Sequence, residues 1–185
     1  VQLNKKEIIT ISGQSGCGKS TALNIMGTLD KQDSGTILFE GIDINKLDEN
    51  SLANFRNTKI GFVFQFHHLI PEFNVLDNVI MPNLIAEKTP NYSMAKDILD
   101  HVRIIDKLNS FPSQLSGGEK ARVAVARALM NNPRIIFADE PTGNLDKKTS
   151  GLVFDLFYKL VKASKISCLV ATHNNLLAKK MDKIS

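Results

Sequence analysis

Residues 7–21 read EIITISGQSGCGKST, and the order of features in this stretch decides the fold. Residues 7–11 are a short β-branched run that predicts a buried strand. A turn rich in glycine and serine follows, and from about Lys19 to Thr28 the pattern is helical. A triphosphate held at such a turn needs several backbone N–H donors converging on it. Gly13, Gly16 and Gly18 remove the Cβ atoms that would obstruct them. The helix beginning near Lys19 adds its positive N-terminal end. Lys19 can reach the β- and γ-phosphates, and the Ser20 hydroxyl can ligate Mg²⁺. The alternative is an ordinary glycine-rich strand–helix turn, but a chance match to this pattern in a chain of this length has a probability on the order of 1%. The stretch implies an NTP site, with Gly13, Gln14, Ser15, Gly16, Cys17, Gly18, Lys19, Ser20 and Thr21 as the expected nucleotide-binding residues. Cys17 reads either as a small residue tolerated at a variable position or as a thiol made more acidic by the helix end and Lys19.

Residues 134–140 read RIIFADE, a strand that closes on two carboxylates with Pro141 next. Asp139 is placed to hold Mg²⁺, directly or through water. Glu140 would then sit beside the γ-phosphate, where a carboxylate can polarise an attacking water as general base. Pro141 biases Glu140 toward an extended conformation, which predicts strand geometry up to the site. Many strands end in solvated acids, so the pair takes its meaning from the phosphate loop. Residues 115–119 read LSGGE and lead into the helical run KARVAVARALM. Ser116 with Glu119 three residues on is a capping box. That leaves Gly117 and Gly118, each costing about 1 kcal/mol relative to alanine inside a helix. Close approach of a phosphate to Ser116 and the first N–H groups would account for them. Since the chain already has a phosphate loop, this second anion site is expected to serve a nucleotide held by another subunit.

The rest of the chain alternates short strands with helices, which predicts an α/β fold with a largely parallel sheet. Strands are expected at 60–64, 134–138 and 166–171, with a small antiparallel piece near 33–41. The stretch 75–106 reads as helix broken at Pro82 and Pro90. Helices are also expected at 117–130, stopped by Asn131-Asn132-Pro133, and at 147–163. One domain over 1–185 with a helical part at about 66–130 is the economical organisation. The 185 residues are 43% hydrophobic and 23% charged, the balance of a globular protein. A net charge of +4 is too mild to argue for a nucleic-acid partner. No apolar run approaches a membrane span, so a membrane role would come through a partner. Cys17 and Cys168 lack metal-ligand spacing and fit a reducing cytosol.

Taken in this order, GQSGCGKST, LSGGE and RIIFADE resemble the ATP-binding cassette ATPases, and the resemblance covers essentially the whole chain. Gln65 follows the strand IGFVF as that family's glutamine loop does. His173 follows ISCLVA and Thr172 as its switch histidine does, and Asn144-Leu145-Asp146 stands where its D-loop lies. The resemblance implies a P-loop NTPase nucleotide-binding domain with a mostly parallel core sheet, a small antiparallel β piece and a helical subdomain. It implies ATP and Mg²⁺ as cofactors and a homodimer of ATPase subunits. Each ATP would lie between residues 13–21 of one subunit and Ser116, Gly117 and Gly118 of the other, with Asp146 also at the nucleotide. Glu140, His173 and Gln65 are then the catalytic residues, and Ser20, Gln65 and Asp139 the metal ligands.

Within the family, QFHHLIPEFNVLDNVIMP at 65–82 is similar to the lipoprotein-releasing type, as are DEPTGNLD, LSGGE and LAKKM at 177–181. That likeness implies two integral membrane permease subunits and a lipoprotein substrate. It also implies a peripheral place on the cytoplasmic face of the bacterial inner membrane. Phe66 to Ile70 reads as a partly apolar surface suited to a helix from a membrane subunit, and His67 and His68 as loop side chains without catalytic work. The family's adenine-stacking aromatic has no counterpart among the twelve residues before Gly13, and the strands that usually follow the switch histidine are not expected in this chain. With Val1 as the first residue, a partial chain is expected. Macrolide-type exporter and cell-division cassettes share DEPTGNLD and remain alternatives. A soluble cassette of DNA repair would carry a long heptad insertion between Gln65 and Ser116, and one of translation would carry two cassettes in tandem.

Overall fold

The structure is a computed structural model that describes residues 2–14, 16–174, 181 and 183–184. The expected Ser15 and most of 177–181 therefore lie outside the described residues. Alternation along the strands builds the core. In β1 (Ile8–Ser12), β5 (Ile135–Asp139) and β6 (Ser167–Thr172), successive apolar side chains go to opposite faces of one sheet. Ile8, Ile136, Ala138, Cys168 and Val170 enter one cluster, and Ile9, Ile135, Phe137, Leu169 and Ala171 the other. Both faces are covered, which is why these strands read as continuous apolar runs.

The sheet has the order β4-β5-β6-β1-β7, with β4 at Ile60–Phe64 and β7 at Lys183–Ile184. All its pairings are parallel. The short strand β7, which pairs with Ile9 and Thr10 of β1, corrects the expectation that no strand follows His173. The antiparallel piece is β2 (Leu38–Phe39) with β3 (Ile42–Asp43).

Helix α1 (Lys19–Met26) lies on β5 and β6. Helix α2 (Glu49–Lys59) has no buried residue, so no apolar stripe announces it; Asp48 caps it by accepting from the Ser51 N–H at 2.8 Å. Helix α3 (Val75–Ile85) runs through Pro82, against the expected break. Proline withholds a donor from the turn before it, but Val79 and Ile80 are buried where α3 packs on α5 (Gly117–Leu129). Asn131 also donates to the Pro82 carbonyl at 3.0 Å. The break near Pro90 occurs, with Asn91 capping α4 (Tyr92–His101). Helix α6 (Lys147–Ala163) has the expected limits and buries Val153, Phe154, Phe157 and Val161.

Candidate nucleotide site

The carboxyl ends of β1, β4, β5 and β6 share one edge of the sheet, where parallel α/β folds carry their ligands. A cavity of about 330 Å³ opens there, lined by Gly16, Gly18, Lys19, Ser20, Thr21, Gln65, Asp139, Glu140 and His173. Residues scattered over the chain are thus brought together by topology. Gly16 and Gly18 have φ of 81° and 89°, left-handed backbone that other residues rarely adopt. Gly18 is the N-cap of α1 and offers no capping side chain, so the first N–H groups of the helix stay available to an anion. The Lys19 ammonium donates to the carbonyls of Gly13 at 2.8 Å and Gln14 at 2.9 Å, which gives both residues a place in the loop. Cys17 is exposed, its Sγ 3.8 Å from Lys19 Nζ.

Asp139 ends β5 with its Oδ1 buried and without a hydrogen-bond partner among the described residues. An orphaned carboxylate oxygen is costly to bury unless a cation or water completes it. It shares the cavity with the Ser20 and Gln65 side chains, an all-oxygen donor set that suits Mg²⁺. Glu140 corrects the sequence reading, since it is not extended before Pro141 but has φ of 43°. Its N–H still donates to Ala171 O at 2.9 Å, while its own carbonyl accepts from the Gly143 N–H at 2.8 Å. The turn brings its carboxylate to the end of β6. There Oε2 accepts from the Thr172 hydroxyl at 3.1 Å, and Oε1 accepts from the His173 N–H at 2.7 Å and meets the His173 ring Nδ1 at 2.7 Å.

Gln65 follows β4 and pairs with Asn144: Gln65 Nε2 donates to Asn144 Oδ1 at 3.0 Å, and Asn144 Nδ2 donates to the Gln65 carbonyl at 3.1 Å. The sequence reading placed Asn144 in a motif without giving it a site role, and it gave none to Thr172. Beyond Gln65, Phe66 is 69% exposed while His67 is buried. The half-buried Arg127 guanidinium donates to the carbonyls of His67 at 2.6 Å and His68 at 2.7 Å, fixing two residues with positive φ. Burial lowers the pKa of Arg127 and is also the main cause that lowers that of His67.

Ser116, Gly117, Gly118 and Asp146 do not line the cavity. The capping box is formed. Ser116 donates its hydroxyl and its N–H to Glu119 Oε2, each at 2.7 Å, and these bonds hold the Glu119 carboxyl below its ordinary range. Gly118 has a reason within the chain that the sequence did not reveal, because a Cβ there would lie 2.6 Å from Thr149 Cγ2 on α6. Gly117 is exposed. The Asp146 carboxylate caps α6, accepting from the N–H groups of Lys148 at 3.0 Å and Thr149 at 3.1 Å. Hydrogen bonds from Thr149 lower its pKa.

Known proteins resemble this chain in sequence and in fold. A family model described as ABC transporter matches residues 1–143. The lipoprotein-releasing system ATP-binding protein LolD of Buchnera aphidicola is 46% identical over 182 residues, covering 97% of this chain and 80% of that protein. The proteins of the same name from Colwellia psychrerythraea and Geobacter metallireducens are 45% and 48% identical, covering 99% and 96% of this chain and 72% and 80% of theirs. A solved dimeric structure of the ATP-binding cassette MJ0796 in a post-hydrolysis state, bound to ADP and Pi, superposes with a TM-score of 0.89 at 39% identity. It covers 100% of this chain and 82% of that one.

Proposed function

The chain belongs to the ATP-binding cassette transporter family and is an ATP hydrolase, and on that premise we propose that it powers release of lipoproteins from the inner membrane of a Gram-negative cell. The observation that carries the chemistry is the convergence of Lys19, Ser20, Gln65, Asp139, Glu140 and His173 on one cavity at the sheet edge. The name shared by the relatives supports the lipoprotein substrate. Exporter, cell-division and soluble readings are not favoured by those relatives.

In this reading residues 13–21 wrap the phosphates, with the α1 N-terminus and Lys19 meeting their charge. Ser20, Gln65 and Asp139 would hold Mg²⁺, which when bound neutralises charge on the β- and γ-phosphates. Glu140 takes the proton of the attacking water, and His173 contacts the γ-phosphate. Ser116, Gly117 and Gly118 serve the nucleotide of a second copy, beside Asp146, so each site is completed by the dimer; that they stand away from this chain's own cavity supports this assignment. Binding closes the pair and hydrolysis reopens it.

The loop after Gln65 borders an apolar groove of about 450 Å³ that includes Phe64, Ile70, Met81 and Ile85. In each copy of the dimer this groove would receive a helix from one of the two permease subunits, with the helical subdomain at 66–130 moving against the core. Among the described residues no helix is long and apolar enough to cross a membrane, and a peripheral place on the cytoplasmic face fits such partners. The test is an affinity pull-down of the Glu140→Gln protein from detergent-solubilised membranes with ATP. Recovery of two related membrane subunits with large periplasmic domains is expected, and recovery of a different membrane protein would replace the substrate.

A further inference from the structure

A glutamine that serves a metal site must present the correct end of its amide, since Oε1 accepts and Nε2 donates while the two ends have nearly the same shape. The contacts of Asn144 remove that ambiguity for Gln65. A backbone carbonyl can only accept, so the end of Asn144 that lies 3.1 Å from the Gln65 carbonyl is its Nδ2. Its other end is therefore Oδ1, which lies 3.0 Å from the Gln65 side chain and can only accept from Nε2. Gln65 Nε2 is thereby engaged, and Oε1, with no donor among the described residues, is the end left for the cavity. Gly143 closes the arrangement from the side: a Cβ there would lie 3.0 Å from Gln65 Nε2 and 3.2 Å from its Cδ. The turn between β5 and α6 thus packs directly on the amide. From this we infer that Asn144 is a positioning residue that fixes the Gln65 amide with its oxygen toward the metal and water. The inference rests on the proposed function and deepens it.

Calorimetry of the non-hydrolysable analogue AMP-PNP, with and without Mg²⁺, tests this without relying on turnover. In Asn144→Ala the metal-free affinity is expected to equal that of the unsubstituted chain. The gain in affinity conferred by Mg²⁺ should fall by about three- to tenfold, the loss of one orienting hydrogen bond. The decisive comparison uses Gln65→Glu, whose carboxylate presents an oxygen whichever way it turns. In that background Asn144→Ala should cause no further loss of the Mg²⁺-dependent gain. An equal loss in both backgrounds, as a merely structural residue would give, overturns the inference, and so does no loss in either. Failure of the unsubstituted chain to bind AMP-PNP at all would instead refute the proposed function, and this inference with it.

Discussion

His173 holds the carboxylate of Glu140 with two groups at once, its backbone N–H and its ring Nδ1, each 2.7 Å from the same Oε1. Thr172 engages the other oxygen. An ionised carboxylate has about four acceptor directions, so one remains on Oε2 for a water. A glutamine can copy the arrangement, its oxygen accepting from His173 and its amide donating to the Thr172 hydroxyl. Glu140→Gln should therefore leave the fold and ATP affinity intact while removing the proposed base. Hydrolysis should slow by about two to four orders of magnitude, and the variant should accumulate as an ATP-bound dimer. Steady-state turnover and light scattering with ATP and Mg²⁺ check this, and a strictly monomeric variant at saturating nucleotide would contradict the shared site.

Gly118 is held to glycine by α6. Alanine at this buried position places a Cβ 2.6 Å from Thr149 Cγ2, an overpacking that typically costs about 1–3 kcal/mol. Against it stands a helix-propensity gain of about 1 kcal/mol. Gly118→Ala should therefore lower the thermal midpoint in the absence of nucleotide. Adding Thr149→Ser, which removes the methyl and keeps the hydroxyl, should restore most of it. Full stability of Gly118→Ala alone would mean that the helices give way freely.

That these residues meet in one place was legible in sequence. Gln65, Asp139 and His173 close or follow strands, Ser20 opens the helix after β1, and parallel strands place all of them at one edge. The partners of those residues were not legible. Asn144 meets Gln65 across 79 positions and Thr172 meets Glu140 across 32, and no local pattern encodes either pairing. The rule for residues before proline misplaced Glu140, whose left-handed backbone is stabilised by its contacts with Thr172 and His173. The same kind of override carries α3 through Pro82, where burial of Val79 and Ile80 outweighs one missing donor. Helix α2 escaped notice for the opposite reason, since none of its residues is fully buried and Phe55 packs only partly against the core, too little for periodicity to detect.

His67 gives the loop after Gln65 a dependence on pH. Its ring is buried, and burial first, with Lys120 and Arg127 adding to it, lowers its pKa below the ordinary 6.5. The unfolded chain takes up a proton near pH 6.5 while the folded chain resists it. Stability from this group is thus complete above that pH and is lost as pH falls toward the folded value. His67→Asn, a residue that tolerates the observed φ of 62°, should lose less stability between pH 7.5 and 5.5 than the unsubstituted chain. Urea unfolding at both pH values measures the difference. Equal losses would show that the ring is not shielded.

The two thiols should separate cleanly. Cys168 is fully buried in β6, and burial pushes its pKa well above the ordinary range, so it should resist maleimide in the folded chain. Cys17 is exposed in the phosphate loop, close to Lys19 Nζ. A nucleotide wrapped by this loop covers the thiol and draws Lys19 toward the phosphates. Mass spectrometry after brief maleimide treatment should find label on Cys17 alone, reduced by saturating ATP and Mg²⁺. Cys17→Ala should abolish labelling. Equal modification with and without nucleotide would leave Cys17 a small residue at a variable position and nothing more.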